Sequence, residues 1–326
     1  MANSDCFVYY SALVLCRRGK NAWIRYKLLP PLRKLTIDNN APVFTPDLPF
    51  VTKGYFQDVL EHLSPRLLWA KKDHLPVGAW NNPFLANDFW RLYQNDADGG
   101  WLESPEEKLM LAAGEVYLIP PGLKLSCHNK MRLSQFYIHF DLGGVPPIVF
   151  RDMTPRPVQL VPALFFSQRV AALGLCVREE GFGSVSTRCL LMGVLYEALG
   201  LYFSALPDYL QEQGQRRAFS LRPLLPALMH IENHLDQRLS NETLAALCGM
   251  SEDYFIRRFR EAVGLPPSRY VVKCRVAMAA QRLLFTDESI GDIAERTGFV
   301  DRFYFTRVFS RQTGSPPAAY RASPRI

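Results

Sequence analysis

Apolar residues change their spacing twice along this chain. Between about Val51 and Phe150 they come as short aromatic and β-branched runs, RLLWA, FWRLY, EVYLIP and LSQFYIHF, cut apart by Pro, Gly and Asn. Runs of that length between turn signals predict an all-β sandwich or barrel. The proline-rich stretch GGVPPIVFRDMTPRPVQLVP reads as the edge of that domain. Over 166–206, Leu190, Val194, Glu197 and Leu201 take a helical spacing, which predicts one or two amphipathic helices. The polar stretch DYLQEQGQRRAFSLRP (208–223) reads as a linker, and from Pro223 onward nearly every segment is helical in pattern. The expected fold class is α+β and multidomain: a β domain over 1–165, a helical linker over 166–215 and an all-helical domain over 220–326.

The helical end writes one pattern twice. SNETLAALCGMSEDYFIRRFREAVGLPPSRY and SIGDIAERTGFVDRFYFTRVFSRQTGSPPAAY align on Phe255 and Phe305, and Tyr254/Tyr304, Arg257/Arg307, Phe259/Phe309, Gly264/Gly314, Pro266/Pro316, Pro267/Pro317 and Tyr270/Tyr320 then coincide. A self-match at fixed spacing means one supersecondary unit used more than once; two copies are too few for a solenoid. Each copy predicts a short helix (243–248, 292–297), a glycine turn and a second helix (252–263, 302–313), with Ser251 and Asp301 as N-caps and Gly264 before Pro266 as a stop. That grammar is a helix-turn-helix. Ala245 and Ala294 fall where the two helices cross, and Phe255 with Phe259, like Phe305 with Phe309, face the core at i and i+4.

The opposite face of each second helix is then free for a partner. It carries Asp253, Ile256, Arg257 and Arg260 in one copy and Arg302, Phe303, Thr306 and Arg307 in the other. A helix with arginines there suits a DNA major groove, where a guanidinium pairs bidentately with guanine. Between the copies PPSRYVVKCRVAMAAQRLLFT opens with proline and sets Val272, Val276, Ala279 and Leu283 on one stripe, predicting a single helix. About eighteen residues at about 1.5 Å each give a rod of about 27 Å, close to the about 34 Å between successive major-groove openings.

Composition narrows the classes. A net charge of +7 fits an anionic partner without choosing it. The seven cysteines are scattered, with neither a C-x-x-C pair nor zinc spacing, as in a cytoplasmic protein with reduced thiols. The N-terminal MANSDCFVYYSALVLCRRGK has its charges reversed for a secretory signal, and Glu197 interrupts the longest apolar segment, 189–206, so no membrane span is expected. No G-x-S-x-G, phosphate loop or dinucleotide fingerprint occurs, and no catalytic residue or cofactor is expected.

The block from about Leu239 to Tyr320, above all IGDIAERTGFVDRFYFTRVFSRQTGSPPAAYR, resembles the DNA-binding domain of AraC/XylS-type bacterial transcription regulators. The resemblance implies that both second helices enter adjacent major grooves of double-stranded DNA, with Asp253, Ile256, Arg257, Arg302, Phe303, Thr306 and Arg307 at base-facing positions. Arg257 and Arg307 carry most of that expectation, Arg307 sharing phosphate contact. Asp253, Ile256 and Phe303 either touch a thymine methyl or a cytosine amino group, or space the helix from the groove. It also implies a homodimer through the helices of 166–206, with RNA polymerase as a further partner.

In AGEVYLIPPGLKLSCHN, Gly114, Pro120, Gly122 and Asn129 keep the spacing of the second cupin motif, so the β domain resembles the cupin-like jelly-roll sensor of many AraC-type proteins. Leu125 stands where a metal-binding cupin has histidine, and the upstream His-x-His is missing. A metal-dependent cupin-type isomerase or dioxygenase is therefore the alternative, and a metal-free effector pocket is the expectation. Its candidate residues are Trp80, Trp90, Arg91, Tyr93, His128, Tyr137 and His139, a set of rings and polar groups suited to a small polar effector such as a sugar.

Overall fold

The computed structural model describes residues 63–322 except 87, 152 and 162–164. All of them belong to one compact unit, Leu48–Ile326. The expectations resting on the N-terminal segment, with Cys6 and Cys16, lie outside the described residues.

Strands β1 (Ser64–Leu75), β2 (Asn82–Ala86), β3 (Trp90–Asn95), β4 (Gly100–Glu103), β5 (Lys108–Leu111), β6 (Val116–Ile119), β7 (Lys124–Asn129), β8 (Leu133–Gly143) and β9 (Val158–Gln159) make two antiparallel sheets. One has the order β1-β8-β3-β6-β9 and the other β2-β7-β4-β5. The four runs read as strands are β1, β3, β6 and β8, all in the first sheet. The proline-rich stretch supplies a 3₁₀ turn at Pro147–Val149 and the edge strand β9. Turns at Gly114 and Gly122 need left-handed backbone, with φ of +78° and +80°. Asn129, two strands away, holds the next loop: its Oδ1 accepts from the Trp80 amide at 2.8 Å and its Nδ2 donates to the Pro76 and Met131 carbonyls.

Both faces of the first sheet are buried, because it has a core on each side. Side chains alternate along a strand, so Leu92, Leu118, Phe136, Ile138 and Phe140 meet the helices, while Tyr93, Tyr117, Ile119 and Tyr137 meet Leu102, Leu111, Leu125 and Cys127 of the second sheet. Helix α1 (Phe166–Glu180) and helix α2 (Val185–Ser204) cover the outer side, α2 starting from Ser184, whose hydroxyl accepts the Thr187 amide at 3.1 Å. Glu197, the charge inside the apolar segment, pairs with Arg169. Among the described residues no single helix is long and apolar enough to cross a membrane.

The stretch 208–223 is not a linker. It forms α3 (Asp208–Leu221), because Leu210, Gly214, Ala218 and Leu221 make one buried stripe beneath its polar residues. Helices α4 (Leu225–Asn233), α5 (Asn241–Leu247), α6 (Glu252–Val263), α7 (Pro267–Phe285), α8 (Ile290–Arg296), α9 (Arg302–Thr313) and α10 (Pro317–Ala322) follow. The rod α7 buries Val276, Ala279 and Leu283 as expected, but in its first turns Tyr270 and Val271 point inward in place of Val272.

Three contacts fix α7. Near its start the Glu232 carboxylate accepts from the Tyr270 hydroxyl at 3.4 Å and the Cys274 thiol at 3.6 Å, within reach of the Arg66 charge on β1. At its middle Arg275 donates to the Leu235 and Gln237 carbonyls at 2.9 and 2.6 Å. At its end Phe285 enters the β domain, with ring centroids 5.3 Å from Phe89, 5.6 Å from His139 and 6.3 Å from Trp69.

Gly298, in the turn of the second unit, lies against that middle contact. Its φ is +76°, and a Cβ would collide with the Leu235 carbonyl oxygen and stand 2.7 Å from Arg275 Nη2. Gly298→Ala is expected to cost about 2 kcal/mol or more, from left-handed backbone plus overpacking, measured by denaturant unfolding. Burial also raises the Glu232 carboxyl above its usual range, the donors and Arg66 opposing it. A carboxyl raised in the folded state favours folding at acid pH, and that contribution fades as pH climbs from the unfolded value of about 4.3. Glu232→Gln is expected to be more stable than the native protein at neutral pH and to lose this part of the pH dependence, read from melting curves at stepped pH.

Candidate functional site

The two helix-turn-helix units are built alike from the residues up. Helix α5 starts at Ser240 and α8 at Ser289, each serine hydroxyl accepting the amide three residues on at 3.1 Å. Ala245 and Ala294 are buried, and Phe255 with Phe259, like Phe305 with Phe309, form tilted ring pairs 5.4 Å apart on the inner faces of α6 and α9. Gly264 and Gly314 close both second helices at φ near +80°, as glycine does at a helix end. The caps differ. Asp301 accepts the Tyr304 amide at 2.7 Å, whereas Ser251 occupies the cap position without a side-chain bond.

With the phenylalanines turned inward, the outward faces are set. Asp253, Ile256, Arg257 and Arg260, with Glu261, line a shallow open depression on α6. Arg302, Phe303, Thr306 and Arg307, with Ser310, line its counterpart on α9. The eight residues expected at a nucleic-acid interface are thus gathered on two matching surfaces. Phe303 is 87% exposed, a large ring left in water. The Thr306 and Ser310 hydroxyls are tied back to the carbonyls of Arg302 and Thr306.

Tyr254 and Tyr304 coincide in the two copies, and the geometry gives them a task. The Arg257 guanidinium lies over the Tyr254 ring at 5.4 Å, and Arg307 lies over Tyr304 at 5.6 Å. A guanidinium resting on an aromatic face one turn earlier has fewer rotamers to lose on binding. The signal in the sequence was the i, i+3 spacing of Tyr and Arg in both copies.

The second group of candidates lies in the β domain. Trp80, Arg91, Tyr93, Tyr137 and His139 come together between the sheets. The register pairs Arg91 with His139 and Tyr93 with Tyr137 across β3 and β8. Trp90 and His128 do not join them. Trp90 is one residue out of phase, so it faces the helices and packs on Phe140, Tyr202 and Phe203. His128 sits on the outer side of the second sheet, stacked on Trp101 at 5.0 Å with its Nε2 2.9 Å from the Ser126 hydroxyl. Asn95 and Gln135, bonded to each other at 3.0 Å, also face inward. Gln135 was not among the candidates, since nothing in the sequence distinguishes it from a surface strand residue.

Burial dominates the electrostatics of this interior. It lowers the His139 imidazole well below its ordinary value, with the Arg91 charge adding to the effect, and pushes the Cys127 thiol up to about 11. Both His139 nitrogens, Nε and Nη2 of Arg91, the Trp80 indole nitrogen and Asn95 Nδ2 have no hydrogen-bond partner. Among the described residues no group of three His, Cys, Asp or Glu side chains is placed to hold a metal ion.

A helix-turn-helix domain family matches residues 244–323. The chain is 34% identical over 92 residues to the MmsAB operon regulatory protein of Pseudomonas aeruginosa, a match covering 28% of this chain and 30% of that protein. It is 27% identical over 279 residues to an uncharacterized HTH-type transcriptional regulator of Haemophilus influenzae, covering 72% and 90%. The solved DNA-binding domain of AdpA, in complex with a target DNA, is 39% identical and is covered for 90% of its length and 31% of this chain, with a TM-score of 0.30. Residues 244–323 thus form a helix-turn-helix domain of the AraC type. The two curated relatives named above are transcription regulators, and neither supports the isomerase or dioxygenase alternative. The chain nevertheless spans less than a third of the first of these relatives.

Tyr304→Leu tests the ring beneath Arg307. The variant is expected to fold normally and to lose about 0.5–1 kcal/mol of affinity, the worth of an exposed cation–π contact. Fluorescence anisotropy with a duplex that the native protein selects from a random pool gives the measurement, and unchanged affinity would remove the tyrosine from the interface.

Proposed function

We propose that the chain is a sequence-specific transcription regulator that reads double-stranded DNA with α6 and α9 and answers to a small-molecule effector held between its sheets. The observation that carries the DNA reading is the pair of equivalent arginines, Arg257 over Tyr254 and Arg307 over Tyr304, on two open helix faces joined by one rod. Arg257 and Arg307 read bases, Arg260 and Arg302 add backbone contact, and Phe303 and Ile256 offer apolar surface to thymine methyls. The net charge of +7 favours approach to DNA.

The effector reading is supported by the interior polar set of Arg91, Asn95 and His139 beside the Trp80, Tyr93 and Tyr137 rings, in a β domain whose Gly114, Gly122 and Asn129 keep the cupin-like turn spacing. A homodimer is supported by α2. It is apolar on most of its surface, Arg188 and Glu197 aside, and Cys189, Gly193, Tyr196 and Gly200 form an exposed stripe on which both glycines meet open space. Such a regulator acts in the cytoplasm, beside RNA polymerase on its promoter.

Arg257→Ala and Arg307→Ala are each expected to weaken binding to the selected duplex by about 1–3 kcal/mol and to relax base preference at one position, that position differing between the variants. Competition binding against single-base substitutions at fixed salt reads both effects. Two variants with native affinity and native preference would overturn the groove assignment.

A further inference from the structure

The β-domain interior has a charge that nothing described balances. Arg91 is only 2% exposed, its Nε and Nη2 lack partners, and among the described residues no carboxylate forms an ion pair with it. The Tyr93 hydroxyl beside it is neutral, since burial holds the phenol far above its usual range against the opposing pull of Arg91. His139, its cross-strand neighbour, is equally buried and is kept uncharged beside it. A guanidinium removed from water without a counter-ion costs several kcal/mol, and proteins do not bury one idly.

Most of the other open valences share a sign. Arg91 Nε and Nη2, the Trp80 indole nitrogen and Asn95 Nδ2 are donors, either His139 nitrogen can donate, the Tyr93 hydroxyl can do either, and Gln135 Oε1, far along the strand beside Asn95, is the one pure acceptor. Unpartnered donors on Arg91 and on its cross-strand neighbour His139 describe the complement of an anion. The walls are aromatic: Tyr93 and Tyr137 on the sheet, with Phe89 and Phe285 over His139 at 4.9 and 5.6 Å. A planar anion with an apolar body matches both features, and a fork of guanidinium N–H groups fits a carboxylate.

We infer that this interior takes a small organic carboxylate, its carboxylate on Arg91 with His139 as a further donor and its carbon frame against the rings, rather than a neutral sugar. This rests on the effector reading above and names its ligand chemistry. Phe285, which ends the rod between the reading heads, lies against His139, so a ligand held there meets a residue of the DNA-reading half.

The test is thermal melting of the full chain at constant ionic strength, replacing chloride in turn by formate, acetate, butyrate and succinate, with butyramide, arabinose and galactose as neutral probes. At least one carboxylate is expected to raise the melting temperature by about 2–4 °C or more over chloride. Arg91→Met is expected to abolish that rise and to melt no lower than the native protein in chloride, because it deletes an unbalanced charge. Arg91→Lys should retain part of the rise. A rise with arabinose or galactose and none with carboxylates would overturn the anion assignment while leaving the effector reading standing. No shift with any probe, together with Arg91→Met melting far below native, would overturn both and make Arg91 a structural residue. Duplex binding by the same samples, compared with Arg257→Ala, keeps either failure separate from the DNA-reading assignment.

Discussion

The helical half depends on the close approach at Gly298. There the turn of the second helix-turn-helix meets the Leu235 carbonyl of the first, with the Arg275 guanidinium lying alongside and bonded to that same carbonyl. No side chain fits between them. Each head also packs its phenylalanines on the rod, Phe255 and Phe259 with Tyr270 and Phe305 and Phe309 with Leu283. Arg275 couples the rod to the α4–α5 loop and Gly298 brings the second unit down onto that loop, so this contact ties the second head to the segment that leads into the first.

The same rod is held by the β domain at its two ends. Near the start, Arg66 of the edge strand β1 acts on Glu232, which receives the Tyr270 and Cys274 donors of α7. At the finish, Phe285 lies among Trp69, Phe89 and His139. The last helix joins in: Tyr320 of α10 is pushed up to about 12 by burial, feels Asp88, and is opposed by the Arg91 charge. A change at Arg91 or His139 therefore has a short physical path to α7 and α10 through rings in contact. Under the effector reading proposed above, coupling of that kind requires unequal affinity for two arrangements of these contacts, which rings packed against a ligand would supply.

How much of this was legible in the sequence varies with how local the cause is. The second helices at 252–263 and 302–313 follow from caps, glycine stops and a helical stripe, and all three are short-range. Strands β2, β4, β5 and β7 gave weak signals because they are only four to six residues long, and KLML has only Leu111 buried. Trp90 misled because a two-residue period cannot say which of two buried faces is which when both carry cores; only the pairing of β3 with β8 and β6 decides it. The 208–223 helix was obscured by its many polar residues, its stripe resting on four small or aliphatic positions. Phe285 and Gly298 act through partners far away in sequence, and no window of the chain contains that information.

The two heads share a frame but not a chemistry, and this difference is what makes a duplicated unit useful. At equivalent positions the first offers Glu252, Asp253, Ile256 and Arg260 where the second offers Arg302, Phe303, Thr306 and Ser310. Carboxylates at the start of α6 are repelled by phosphate unless the helix enters at an angle that lifts them toward base edges, where cytosine amino groups donate. Arg302 at the start of α9 carries the opposite charge, which phosphate attracts. With both heads packed on one rod, the DNA reading proposed above has them meet a duplex together. Two unlike heads would then read two unlike half-sites, whereas two identical heads would read the same bases twice.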